Sequence, residues 1–504
     1  MKRDQGAMDR IKPLLSAFIL AVFLTVFAPV AANAQGEFFK FPITETGVYK
    51  ITAAQAAAMG ASAVDQLSVY GYGGMIPQLL DSGSLSLREV PVKEIDGELF
   101  FYLSAAADVM MGDSGTHYQT HHYTDTLHYL VQTQRKPQKT IPLVDLPEAP
   151  EGLPDLLYQV IAYKNEKYNL LASGRNWYGE RVFDSESITL NFDANTSPGL
   201  PLYFQGKFMA QSRSQSSFGV RINQLLDQNV AIENVTNNRY AVKGKDNILA
   251  GFTEAPVKAE KIQVRLQFTT ADRNGAGYLD YFVLGIPHPT NQLSTGVYYN
   301  LQRQPFALMP SGQQEVWDVS TFHDIKSISP ARTTFSQANK IAVFRPDEAK
   351  PLPPWTKISL DLRDTPGFAE LLIIAPQPLM AEAQRLASYK NSIGISTRVI
   401  PLWDIYDAFG YGNSDITAIR NFIAYQYHHG RMLKNVLFFG KGTFDYKNKL
   451  GGRPNLLPTY SSRSSLDPLT TYSSDDYFGF LNFGEGMWDE SIEGDLALSI
   501  GVGR

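Results

Sequence analysis

The spacing of apolar residues divides the chain into three stretches. Up to about residue 103 the apolar runs are short and end in turns. Gly47 opens a run of Val48, Tyr49, Lys50, Ile51 and Thr52, and residues 67–70 lead into Gly71, Tyr72, Gly73 and Gly74, a turn where unusual backbone angles cost little. Residues 99–103 form another apolar strand candidate. From about residue 181 to 344 the period is two. Ile188, Leu190 and Phe192 alternate with polar residues, and Ile262, Val264, Leu266 and Phe268 alternate with Lys261, Gln263, Arg265 and Gln267. Half-buried strands separated by Asn, Gly and Asp turns predict an antiparallel sandwich. Residues 278–281 and 316–319 read as further strands. Residues 346–366, centred on Pro351, Pro353 and Pro354, read as a stiff linker.

Beyond residue 370 strands alternate with helices. Residues 371–374 are wholly apolar and end at Ala375 and Pro376, which suits a strand buried on both faces. Residues 377–393 turn helical: Pro378 sits in the first turn, Leu379, Ala383, Leu386 and Ala387 repeat at helical spacing, and Gly394 ends the run. A second strand follows at 396–400. Asn413, Ser414 or Asp415 can cap a helix that places Ile416, Ile419 and Ile423 on one face and stops at Gly430. Residues 435–439 and 496–502 read as the third and fourth strands. Such alternation implies crossover connections and a mostly parallel sheet, whose working groups gather at the carboxyl ends of the strands. The third strand runs straight into Gly440, Lys441, Gly442, Thr443, Phe444 and Asp445, a turn with a carboxylate where a site is expected.

These residues also carry a resemblance. The order LLIIAP, a helix, residues 395–400, ITAIRNFIAYQY, KNVLFFGKGTFDY, SSDDYFG and IGVGR resembles the first half of a gingipain-type cysteine peptidase domain, in the version carried by the type IX secretion sortases of Bacteroidetes. The strings GVYKIT, SVYGYGG and GRNWYGE, and the strands at 278–281 and 316–319, are similar to the upstream regions of the same proteins. The resemblance implies a caspase-like α/β fold and a thiol peptidase that processes secreted proteins at the cell surface. The family's catalytic histidine and cysteine are expected after Arg504, so no catalytic residue is assigned within the sequence.

Composition sharpens that expectation. The chain has 504 residues, 44% of them hydrophobic, enough for several cores. It contains no cysteine, so its domains rely on burial without disulfides, and a thiol nucleophile cannot exist within it. The 504-residue chain itself is expected to be inactive. Lys2, Arg3, Arg10 and Lys12 precede an apolar run over residues 14–30, and Ala32, Asn33 and Ala34 form a small-residue cleavage site. This is a secretory signal peptide rather than a membrane anchor. The mature part is mildly acidic, because the whole chain carries −5 and the signal removes more cations than anions. That balance excludes nucleic acid as a partner.

Gly112, Asp113, Ser114 and Gly115 match a serine-peptidase loop in part, without its second glycine or a preceding histidine motif, and read as a polar loop. His117, His121, His122 and His128 are clustered in a Tyr- and Thr-rich stretch that favours strands, and no carboxylate or thiol completes a recognisable ligand set. Arg175 lies beside Trp177 and Tyr178, a stacking group best suited to a corner between domains. His428 and His429 suit a helix carboxyl end. Asp445 and Asp476 can assist a site at the strand ends. The oxygen-rich residues Ser473 to Asp476, with Glu485, Asp489, Glu490, Glu493 and Asp495 beyond them, form an acidic solvated loop that can also hold calcium. The resemblance makes Asp475 and Asp476 the ligands of a structural calcium, the one cofactor expected.

The sequence therefore predicts a multidomain chain: signal peptide 1–34, a β-rich region 35–175, an antiparallel β-sandwich 176–345, a linker 346–366, and the first half of a caspase- and gingipain-like α/β domain, 367–504. The function implied is that of the amino-terminal portion of an exported cysteine endopeptidase and transpeptidase. Its expected partners are secreted proteins with carboxy-terminal sorting domains, other type IX components at the outer membrane, and surface lipopolysaccharide as acceptor. The alternative is a non-catalytic, exported β-rich adhesion or scaffold protein with a degenerate α/β unit. A third reading is a glycan-binding module with a glycosidase partner, which needs two carboxylates about 5 to 10 Å apart across a cleft.

Overall fold

A computed structural model describes residues 36–112, 115–194, 199–254, 261–308, 313–329, 333–335, 338–364, 367–487 and 497–504. The predicted signal peptide, the pair Asp113 and Ser114, and residues 488–496 of the acidic loop lie outside the described residues.

The period-two stretch forms the sandwich it predicts. Strands Ser187–Asp193 and Lys261–Thr270 bury every second residue without exception, because alternate side chains of a strand face opposite ways. They join Ser216–Ile222 and Leu226–Ile232 in a four-stranded antiparallel sheet. Phe218 and Phe268 from that sheet meet Phe204, Phe208 and Phe282 of the facing one. Each buried ring contributes roughly 2–3 kcal/mol of burial free energy.

The facing sheet is wider than predicted. Its ten strands include Leu143–Val144 and Leu156–Lys164, which lie before the expected boundary at residue 175. Leu156–Lys164 pairs along nine residues with Ala276–Pro289. The boundary is displaced because this strand's backbone groups find their partners in the later strands Ala276–Pro289 and Gly296–Tyr299.

The proline-rich segment is likewise corrected. Lys350–Pro351 pairs with Gly47–Ile51, and Thr356–Ile358 pairs with Phe38–Ile43. Proline is tolerated at sheet edges, where its missing N–H costs nothing, so residues 350–358 are stitched onto the amino-terminal sheets rather than spanning freely between domains.

The last third forms a four-stranded sheet in the order Thr397–Pro401, Leu371–Ala375, Asn435–Phe438, Gly501–Gly503, with all pairings parallel. Helix Met380–Ser392 covers one face through Ala383 and Ala387. Helix Ile416–Gly430, capped by Asp415, covers the other. A helix over Leu402–Phe409 was not anticipated from the pattern; its Pro401 start and eight-residue length hid it in the crossover. The fourth strand is Gly501–Gly503; residues 497–500 precede it outside the sheet, with Ser499 N bonded to Gly479 O, and residue 496 lies outside the described residues.

Candidate functional site

The carboxyl ends of the parallel strands are crowded with loops. Arg504, directly after the edge strand, is the hub. Its Nε and Nη2 donate to the two oxygens of Asp475, each at 2.7 Å. Its Nη1 donates to Gly440 O at 2.9 Å and Leu457 O at 2.7 Å, and Nη2 also reaches Pro458 O at 3.2 Å. A guanidinium offers five N–H donors in a fixed fork, and here five acceptors from three loops meet it. The same cation lies over the Phe438 ring.

That arrangement bears on calcium. Both Asp475 oxygens face Arg504, and among the described residues no group of three or more His, Asp or Glu side chains is placed to hold a metal ion. Asp476 is exposed at the start of a short 3-10 turn, its N–H bonded to Ser474 Oγ. The described residues do not fit a calcium ion, which takes six to eight oxygens.

Asp445 is buried and accepts from Lys449 N and Leu450 N, both at 2.8 Å. Its lone pairs shape the turn. Phe444 of the same turn stacks on Trp177 at 5.7 Å and 14°. Arg175 lies over Tyr460, and its N–H bonds Ser462 O. Gly174 has φ +77°, and a Cβ there would stand 2.0 Å from Ser464 O, so only glycine permits this approach. The Arg175 loop is thus the corner it was expected to be, and it clamps the loops at the sheet's carboxyl edge.

Asp415 ties the parallel unit to the amino-terminal region. It caps its own helix through Thr417 N at 2.8 Å and accepts from Ile76 N at 3.1 Å. His121 Nε2 stands 3.7 Å away, and both side chains are buried. Burial pushes the Asp415 carboxyl up to about 6 and the His121 imidazole down to about 3. Arg420, fully buried in the same helix, donates to Asn421 Oδ1 and Gln78 O and lies over Tyr477. His428 bonds Leu481 O at 2.7 Å and stacks on Phe483, and His429 bonds Tyr425 O, so both are structural. The backbone N–H and carbonyl of His128 bond the Asn413 side chain, and among the described residues no group of three or more His, Asp or Glu side chains is placed to hold a metal ion.

Sequence reasoning missed the hub role of Arg504 and the Asp415–His121 contact. The one available signal was Arg420, a cation beside the apolar stripe of Ile416, Ile419 and Ile423, where an unpaired charge is costly.

Residues 364–504 match the sequence profile of Peptidase family C25. The chain superposes on the crystal structure of dimeric latent PorU from Porphyromonas gingivalis with a TM-score of 0.77, covering 94% of this chain and 48% of that one at 20% identity. That likeness shows the fold: a β-rich multidomain chain ending in a caspase-like unit. The chain spans about half the length of the PorU chain it matches. Two further structures match weakly. The CBM36-1 domain of a xylanase from the hindgut metagenome of Trinervitermes trinervoides gives a TM-score of 0.17, at 8% identity over 25% of this chain and 96% of that one. The cycloalternan-forming enzyme of Listeria monocytogenes gives 0.19, at 12% identity over 50% and 19%. No curated protein sequence matches.

Proposed function

We propose, taking the C25 match of residues 364–504 as premise, that this chain is the amino-terminal portion of an exported cysteine peptidase that acts as a sortase of the type IX secretion system. The observation that carries the reading is the parallel sheet itself. Its carboxyl edge holds the loops around Arg504, and its outer strand Gly501–Gly503 pairs on one side with Asn435–Phe438. The PorU-like architecture over nearly the whole chain supports it.

In this reading a histidine and a cysteine are supplied after Arg504. The thiolate attacks the carbonyl at a sorting-domain junction, the imidazole carries the proton to the leaving amine, and backbone N–H groups hold the oxyanion. Release of the thioester to water gives cleavage, and release to an amine on a surface lipopolysaccharide gives anchoring. The residues seen here hold the edge in shape and supply no bond-making group. The proposed location is the outer face of the outer membrane, reached through the signal peptide, beside other type IX components. Among the described residues no helix is long and apolar enough to cross a membrane. Calcium at Asp475 and Asp476 would have to displace Arg504, and calcium titration followed by thermal melting tests it.

The deciding experiment expresses the gene product with and without the sequence following Arg504. Thiol-dependent cleavage of a sorting-domain fusion should appear only in the longer form and vanish on replacing its cysteine. A longer form that lacks the His and Cys, or cleaves nothing, would favour the non-catalytic scaffold.

A further inference from the structure

The amino ends of the parallel strands form the edge of the sheet opposite the loops around Arg504. Leu371 pairs with both Thr397 and Asn435, so three strands start level and the segments leading into them lie side by side. Hydrogen bonds tie those segments together. Glu370 N and Leu371 N donate to Ser396 O, while Lys434 N and Asn435 N donate to Glu370 O. Gly430, at the end of the long helix, faces Gly367 O. Residues 367–370, 389–398 and 430–434 therefore make one continuous surface.

That surface shows apolar side chains to solvent. Phe368 is 68% exposed, Tyr389 60%, Ile393 52% and Met432 42%. Helix Met380–Ser392 buries Ala383 and Ala387 against the sheet, which turns Tyr389 outward. A single exposed apolar residue is ordinary, whereas four along one edge form a patch of the kind that marks an interaction site.

The same edge is cationic, in a chain whose net charge is −5. It carries Lys390, Arg398, Arg431 and Lys434, against Glu370 and the nearby Asp364. Lys434 pairs with Glu370, and Asp364 has a partner of its own. Lys390, Arg398 and Arg431 form no ion pair among the described residues. They stand among the apolar groups. The Arg398 guanidinium lies against Gly367, next to Phe368. Lys390 follows Tyr389, and its carbonyl receives Ile393 N. Arg431, in the left-handed region at φ +53°, precedes Met432.

A protein partner would have to match this interleaved relief over roughly 800 Å² a side. A bilayer offers phosphates above acyl chains at every point and closes around single projecting side chains, and exposed rings beside lysine and arginine are what such interfaces hold. We propose that the amino edge of the parallel sheet is a docking face for an anionic lipid surface. Lys390, Arg398 and Arg431 meet the headgroup phosphates, and Phe368, Tyr389, Ile393 and Met432 enter the boundary between headgroups and acyl chains. Docking in this way leaves the loops around Arg504 facing away from the lipid. The claim does not rest on the peptidase reading, and its test needs no catalysis, so the two can fail separately.

The test is co-sedimentation of the chain from Gln35 onward, so that the apolar run at 14–30 cannot itself insert, with phosphatidylcholine vesicles that contain or lack about one third phosphatidylglycerol. Binding should require phosphatidylglycerol and fall steeply between about 50 mM and about 500 mM salt. Lys390→Gln combined with Arg431→Asn should weaken it about 25-fold, at about fivefold per cation, and asparagine tolerates the left-handed backbone at 431. Phe368→Ser should weaken it about tenfold. Leu469→Ser removes a 70% exposed apolar residue from the loop between Ser462 and Tyr472, near the opposite edge, and should leave binding unchanged. Circular dichroism and melting temperature should be the same in all forms. No binding at low salt, equal binding to neutral vesicles, binding that survives both changes at the edge, or an equal loss in Leu469→Ser would each overturn the proposal. So would self-association in light scattering that the same edge variants abolish, which would make this face an interface between copies of the chain.

Discussion

The sandwich and the parallel unit solve burial in opposite ways. The sandwich holds an inter-sheet core of its own, drawn from residues 182–286 and almost entirely from the strands of its two facing sheets. The parallel unit does not. Its core on the Ile416–Gly430 side is one continuous cluster with Tyr70, Ile76, Leu80, Leu85, Tyr123 and Leu130 of the amino-terminal region. Polar contacts follow the same seam. Asp415 accepts from Ile76 N, Asn413 brackets His128, Arg363 Nη1 reaches Leu85 O, and Tyr411 Oη accepts from Arg88 N. A parallel sheet needs cover on both faces, and here part of that cover comes from residues more than three hundred positions earlier. The lesson is that the parallel unit shares its core on the Ile416–Gly430 side with the amino-terminal region, while the sandwich meets its neighbours, through Val109, Tyr118 and Leu466, only at the outer face of its ten-stranded sheet.

The sharpest way to break this comparison is a pair of core truncations. Phe218→Ala, between Phe208 at 4.8 Å and Phe268 at 5.1 Å, should cost about 3–5 kcal/mol and accelerate hydrogen exchange in the sandwich only. Phe422→Ala, fully buried in the shared core, should cost a similar amount and release both residues 402–430 and residues 72–90. Exchange confined to 402–430 in that variant would dissolve the distinction.

A smaller effect is expected at the seam. Asp415→Ala removes a helix cap and leaves Ile76 N unsatisfied, a loss of about 2–4 kcal/mol, read by denaturant unfolding. Acid should act at the same place. His121 is neutral in the fold down to about pH 3 but takes a proton near 6.5 when unfolded, so its contribution is full above 6.5 and is lost as pH falls toward 3. Asp415 acts in the opposite sense: raised to about 6 in the fold, it favours folding below the unfolded value of 3.8 and loses that contribution as pH rises through 6. The histidine shift is the larger, and His323, held near 4, adds to it. Melting temperature should therefore drop between pH 6.5 and 4, and His121→Gln should flatten that slope. An unchanged slope would remove His121 from the account.

The smallest effect sharpens the picture at the clamp. Gly174→Ala should cost somewhat over 1 kcal/mol, since its positive φ and the Ser464 carbonyl both exclude a methyl group. Hydrogen exchange should quicken across residues 456–475 and stay unchanged in the sandwich hairpins.

Much of this was legible in the chain. The alternation at Ile188, Leu190 and Phe192 reads directly as a buried face, because a strand's period of two is a local property. The helix at 416–430 announced itself by its isoleucine stripe and by capping candidates at 413–415, of which the structure uses Asp415. The Arg175 loop was recognisable as a corner from its chemistry alone. Less legible were the displaced boundary at residue 175 and the docked prolines at 350–358, since a strand's partner is chosen by edges that lie far away in sequence. Asp475 shows the limit within the site. Its carboxylate suggests an ion from sequence, and the neighbour that meets it is Arg504, twenty-nine residues on.

The sequence by itself determined the element types, the alternating core of the sandwich, and the impossibility of a thiol nucleophile within these residues, because periodicity and composition need no partner to be read. The tertiary structure alone decided which surfaces share a core and which carboxylates are held by backbone and guanidinium partners. Those depend on pairings across hundreds of residues, where burial and charge are set by what the fold brings alongside rather than by what stands next in the chain.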